Sequence, residues 1–124
     1  EDRDITILAY NLETVLAEKL ETILSRGDQN TRSRDYYDIY ILAKLQYKNI
    51  RPETLKAALL ATTEKRGSAF VTGHYKEIME TVKASGVMQK QWLDYQKDFE
   101  YAADIAFLDT CDTVMLLMDG LTGR

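Results

Sequence analysis

A chain of 124 residues is long enough for one domain around a single core. Its net charge of −4 excludes nucleic-acid binding through a broadly basic surface, and no run of about 18 apolar residues offers a membrane-spanning helix. One histidine and one cysteine exclude an internal disulfide and a zinc site of the usual nitrogen and sulfur type; the lone Cys111 suits a reducing compartment, so a cytoplasmic location is expected.

In chain order, Glu1-Asp2-Arg3-Asp4 lacks the basic-then-apolar order of a signal peptide. Ile5 to Tyr10 is a β-branched and aromatic run ended by Asn11, and it reads as an extended segment or strand. One strand needs a partner for its backbone, and no second convincing strand follows. The chain is therefore expected to be a fragment whose remainder supplies a sheet. Asn11 as N-cap and Glu13 in a first turn open a helix over 12–26, which Gly27 ends. Leu12, Val15, Leu16, Leu20 and Ile23 share one face of it.

A polar loop over 27–33 leads to a second helix over 34–47, with Ile39, Leu42 and Leu45 on its apolar side. A third starts at Pro52 and stops before Gly67. The next two are expected over 74–84, ended by Gly86, and over 88–98. The last runs over 104–119, carries Phe107, Leu108, Cys111, Val114, Met115 and Met118, and is closed by Gly120. The expected fold class is mainly α: a bundle of about six helices with one short N-terminal extended segment, a single helical domain over 1–124 belonging to a larger α/β protein.

Two charged constellations interrupt this pattern. At about 100° per residue, Lys19 and Arg26 point the same way as the apolar stripe of the first helix. A lysine there snorkels, pairs with an acid, or lines a cleft that receives an anion. On the second helix, Asp35, Asp38 and Leu42 share a face at i, i+3 and i+7, and Arg32 and Arg34 flank the first acid. The helix dipole accounts for one acid in a first turn, at about 0.3–1 kcal/mol. It does not account for two on the inner face. Two readings stay open: an ion-pair network in which Lys19 and Arg26 face Asp35 and Asp38 and position the helices, or a cleft where the cations meet phosphate. Charge is also uneven along the chain: Arg26, Arg32 and Arg34 crowd the first loop, whereas the region after Trp92 is acidic. An anionic ligand would be met at that loop. His74 reads as a surface or capping residue, Trp92 as a core anchor, and Tyr36, Tyr37, Tyr40 and Tyr47 as core-edge packing rather than a base-stacking platform. No glycine-rich phosphate loop and no serine or cysteine catalytic set is visible.

The segment Leu12-Glu13-Thr14-Val15-Leu16-Ala17-Glu18-Lys19-Leu20, then Arg26, then Arg32-Ser33-Arg34-Asp35-Tyr36-Tyr37-Asp38-Ile39-Tyr40, resembles the C-terminal half of the AbiEii/AbiGii toxin family. These are nucleotidyltransferase-like proteins of bacterial abortive-infection, type IV toxin–antitoxin systems that serve phage defence. The family pattern is a Leu-Glu-x-x-x-Ala-x-Lys helix followed by an Arg-x-Lys-Asp-x-x-Asp helix. The resemblance implies that Lys19 contacts nucleotide phosphate, that Asp35 acts as a general base, and that Asp38 is its partner. Arg34 stands where the family usually has lysine, replacing a point charge by a planar fork; Arg26 and Arg32 join it as cofactor-binding cations. It further implies an NTP and Mg²⁺ in the intact protein and an RNA acceptor. The metal would be held mainly by an N-terminal nucleotidyltransferase domain with a Gly-Ser motif and a pair of acids, neither of which is found here. Residues 1–124 alone are then expected to be inactive, with no metal site of their own, no membrane contact and an antitoxin contact left open. The alternative is a non-catalytic helical interaction module in which Lys19 and Asp35 form a structural ion pair.

Overall fold

The structure is a computed structural model that describes residues 12–122. The expected strand at 5–10 and the Asn11 cap lie outside the described residues. Among the described residues there are six α-helices, α1 (Leu12–Arg26), α2 (Ser33–Gln46), α3 (Pro52–Arg66), α4 (Val71–Ala84), α5 (Gly86–Asp98) and α6 (Phe107–Leu121), joined by three short 3₁₀ turns, and no strand. The mainly helical class read from the sequence is what the chain adopts.

α1 is the central element, packing on α2, α3 and α4. Leu12, Leu16, Leu20 and Ile23 are buried as their spacing requires, and Ala17 and Leu24 join them, so the apolar surface extends well beyond one stripe. Two acids of α1 are buried as well, and both fasten α3. Glu13 Oε2 accepts the backbone N–H of Arg51, the residue that opens α3, at 2.8 Å. Glu21 accepts from Ser68 Oγ at 2.7 Å and pairs with Arg66, the last residue of α3. Beyond Arg66 the chain turns through Gly67, whose φ of 70° is left-handed and suits a residue without a side chain.

α6 closes the opposite side, against α2, α3 and α4. Tyr36 of α2 meets Phe107 at a ring separation of 5.2 Å, and Trp92 meets the same ring at 6.0 Å. Trp92 is the core anchor expected, with its indole N–H donating to the carbonyl of Ile105 at 2.8 Å.

Four expectations need correction. On α2 the inner residues are Tyr36, Ile39 and Ala43; Leu45 is exposed, because α6 packs on the Tyr36 side of α2, where Tyr36 meets Phe107. α4 begins at Val71 rather than at 74, since the Val71 side chain is buried in the core just after Ser68. Gly86 is the first residue of α5 rather than a stop, because Ser85 caps that helix by accepting the N–H of Met88 at 3.2 Å. α6 starts at Phe107 and passes through Gly120 to Leu121, whose burial holds the final turn in place; Leu108 is exposed.

Candidate functional site

The entry into α2 sets the site. Asn30 is buried, and its side-chain oxygen accepts the backbone N–H of Arg32 at 2.9 Å, a local turn that aims the chain into the helix. Asp35 then sits in the first turn, where a carboxylate gains from the exposed N–H groups. Because α2 turns back against α1, Asp35 and Asp38, one turn apart, both face Lys19.

Lys19 Nζ lies 3.3 Å from Asp35 Oδ1 and 3.0 Å from Asp38 Oδ2. The lysine side chain is 24% exposed and that of Asp35 only 2%. Two arginines stand outside this triad: Arg32 Nη2 is 3.7 Å from Asp35 Oδ1, and Arg34 Nε is 3.7 Å from Asp38 Oδ2. They are 56% and 74% exposed, so these are loose contacts of little energetic weight. Three cations thus surround two carboxylates and leave a positive excess at the surface. One atom is not accounted for: Asp35 Oδ2 is buried and has no hydrogen-bond partner among the described residues. A buried carboxylate oxygen without a donor costs free energy and calls for an explanation.

Lys19, Arg32, Arg34, Asp35 and Asp38 therefore form one cluster. Arg26 does not join it. It is exposed in the last turn of α1 and lines a separate depression of about 220 Å³ with Gly27, Phe70, Ile78 and Thr81. The helical angle placed it beside Lys19, but the 3₁₀ turn at Gly27–Gln29 packs on α4 and carries the end of α1 that way. His74 is exposed and meets Glu77. Among the described residues no group of three or more His, Cys, Asp or Glu side chains is placed to hold a metal ion. Burial pushes the Cys111 thiol up to about 12, against the smaller pull of Thr110 and Lys83, so it is not a nucleophile. A larger apolar cavity of about 480 Å³, lined by Tyr40, Lys44, Tyr47 and Leu116, contains none of the cluster residues.

Next to the charged cluster lies a group of rings that sequence reasoning did not assemble. Tyr37, the residue before Asp38, meets Tyr101 at 4.6 Å and Tyr95 at 6.3 Å between ring centres. Phe99 packs on Tyr95 at 4.8 Å, and the hydroxyls of Tyr95 and Tyr101 are 2.9 Å apart. The signal was there in the aromatic density of 92–101. The 3₁₀ turn at Glu100–Ala102 that folds Tyr101 back onto Tyr37 is what periodicity does not reveal. Burial first, then the Tyr101 hydroxyl and the charge of Asp38, hold the Tyr95 phenol protonated, while Arg34 pulls the other way.

The family model described as nucleotidyl transferase AbiEii toxin, type IV toxin–antitoxin system, matches residues 1–113. The chain belongs to that family. No curated protein and no solved structure matches it.

Proposed function

We propose that this chain is the helical part of a nucleotidyltransferase toxin of a type IV toxin–antitoxin system and lends phosphate-holding cations and a general base to an NTP cleft. Family membership supports the class. The observation that carries the site is the buried, unpartnered Oδ2 of Asp35 inside a cluster of excess positive charge. Arg32 and Arg34 are the loosest members of that cluster and present their forks to solvent. Drawn onto the phosphates of a nucleotide, Arg32 would uncover the outer side of Asp35, and Arg34 that of Asp38. Asp35 then accepts the proton of an acceptor hydroxyl, for which RNA is the class the resemblance implies. Asp38 keeps Lys19 in place while this happens, at 3.0 Å.

The described residues do not fit a metal site: both aspartates already face Lys19, and no third ligand joins them. Mg²⁺, which would supply stabilisation of charge on the transferred group, is assigned to a nucleotidyltransferase domain that completes the cleft. On this reading residues 1–124 alone neither hydrolyse nor transfer nucleotides. The protein acts in the bacterial cytoplasm, as Cys111 and the absence of a membrane-crossing helix among the described residues allow.

A second reading has its own observation. Lys19 is within 3.3 Å of both carboxylates, which is also how a helix pair is positioned without chemistry. Transfer of labelled nucleotide to RNA by the full-length protein, with growth arrest on expression, decides between them. Asp35→Asn should abolish both while the protein stays folded. A folded variant with full activity would leave only the structural role.

A further inference from the structure

The charged cluster explains how phosphate is met but leaves the neighbouring rings without a purpose. Tyr36 and Trp92 are buried in the core. Phe99 and Tyr101 are not: both are exposed, on a turn that brings them to Tyr37 and so to the edge of the Asp38–Arg34 pair. Exposed aromatic rings that pack on one another lose little flexibility on binding, and every nucleobase has a face that stacks on them. Carboxylates flank these rings on the chain, Asp98 and Glu100. The cations that can take a phosphate are therefore Arg34 and Arg32 rather than any group of the ring segment itself.

We propose that Phe99 and Tyr101 form the base-binding face of the site, stacking the nucleobase of one nucleotide unit whose phosphate is held by Arg34 and Arg32. This rests on the NTP-cleft reading above and adds to it the part of the ligand that phosphate contacts cannot recognise. The acidic flanks limit the face to about one nucleotide rather than a long strand, because a continuing backbone would run over Asp98 and Glu100. Tyr95 links the two halves: its hydroxyl bonds that of Tyr101 at 2.9 Å, and it lies near enough to Asp38 and Arg34 to sense both charges. The nucleotide unit is either the incoming triphosphate or the end of the acceptor RNA.

Calorimetric titration of the full-length protein separates these. The probes are the four nucleoside triphosphates, inorganic triphosphate and a single-stranded RNA trinucleotide. Nucleotide should bind about 5- to 150-fold more tightly than its base-free counterpart, the usual worth of one stacked base. Tyr101→Leu, which keeps bulk but removes the ring, should cancel that advantage and leave inorganic triphosphate unchanged. Tyr101→Phe, which keeps the ring and loses only the bond to Tyr95, should restore it. Phe99→Leu gives the same reading should Tyr101→Leu melt early. Loss confined to the nucleoside triphosphates assigns the face to the incoming nucleotide, and loss confined to the trinucleotide assigns it to the acceptor. Equal binding of inorganic and nucleoside triphosphate, with a trinucleotide indifferent to both leucine variants, overturns this proposal and leaves the phosphate site standing. Equal loss in Tyr101→Leu and Tyr101→Phe overturns it too. A full-length protein that binds none of the probes overturns the NTP-cleft reading and this inference with it.

Discussion

Replacing Asp35 by asparagine separates catalysis from architecture, and the structure gives the size of each effect. Asparagine keeps the shape and an oxygen that can accept from Lys19. What is lost is charge on one of two partners. Lys19 retains Asp38 at 3.0 Å and is 24% exposed, so it is not stranded in the way that costs roughly 3–5 kcal/mol for a buried pair. The loss is one charge-assisted hydrogen bond weakened by partial solvation, plus a dipole contribution of about 0.3–1 kcal/mol. Together these come to about 1–2 kcal/mol, or a fall in melting temperature of roughly 3–10 °C for a domain of this size. Removing a general base should instead cost about 10²–10⁴-fold in rate. Melting and nucleotide transfer measured on the same full-length variant test both. The double change Asp35→Asn with Asp38→Asn does strand Lys19 and should destabilise by about 3–5 kcal/mol. Lys19→Met added to that pair should recover much of it. An Asp35→Asn protein that melts normally and transfers nucleotide at the full rate would refute the catalytic assignment. One that loses as much stability as the double variant would refute the account of Lys19 as a shared cation.

Three further outcomes follow from the packing. Burial raises the Glu21 carboxyl, but the Ser68 hydroxyl and Arg66 outweigh it and hold the group below its ordinary value; its contribution is therefore fully present above about pH 4.3, the unfolded value, and is lost as pH falls through the lower folded value. Acid titration of stability should show a shallower loss below that pH in Glu21→Gln than in the parent. The Cys111 thiol, buried and pushed up to about 12, should resist a disulfide reagent at pH 8 in the native protein and react at once in denaturant. Gly67→Ala should cost about 1–2 kcal/mol in denaturant melts: nothing lies within 4 Å of the added methyl, so the whole cost is the left-handed backbone at φ 70°.

The part of the site that was legible in the sequence is the part that local periodicity and a short loop determine. Lys19 on the apolar side of one helix and Asp35 and Asp38 on one face of the next must meet when the connection doubles back, and they do. Arg26 shows the limit. Its helical angle was read correctly, yet a turn that packs on α4 decides what stands opposite it. Leu45 and Tyr36 exchange roles for a similar reason: residue type suggests which is apolar, whereas the crossing of α6 over α2 decides which is covered, and Tyr36 meets Phe107 there. The aromatic density around Phe99 and Tyr101 was visible in the sequence, but their meeting with Tyr37 depends on a non-local fold-back that periodicity does not give.

What holds Lys19 toward α2 is largely the opposite side of its own helix. At about 100° per residue, Glu13 and Glu21 lie about 80° apart on α1, and Lys19 points well away from both. The two acids fasten to α3 at Arg51 and at Arg66 and Ser68, while Lys19 fastens to α2. Buried polar groups must keep partners, so rolling α1 about its axis would break contacts to two helices at once. The rotation of α1 is therefore specified twice, and independently of Asp35. This is why a single neutral substitution at Asp35 should leave the cluster's geometry in place, and why a loss of activity there reads as chemistry rather than as a displaced helix.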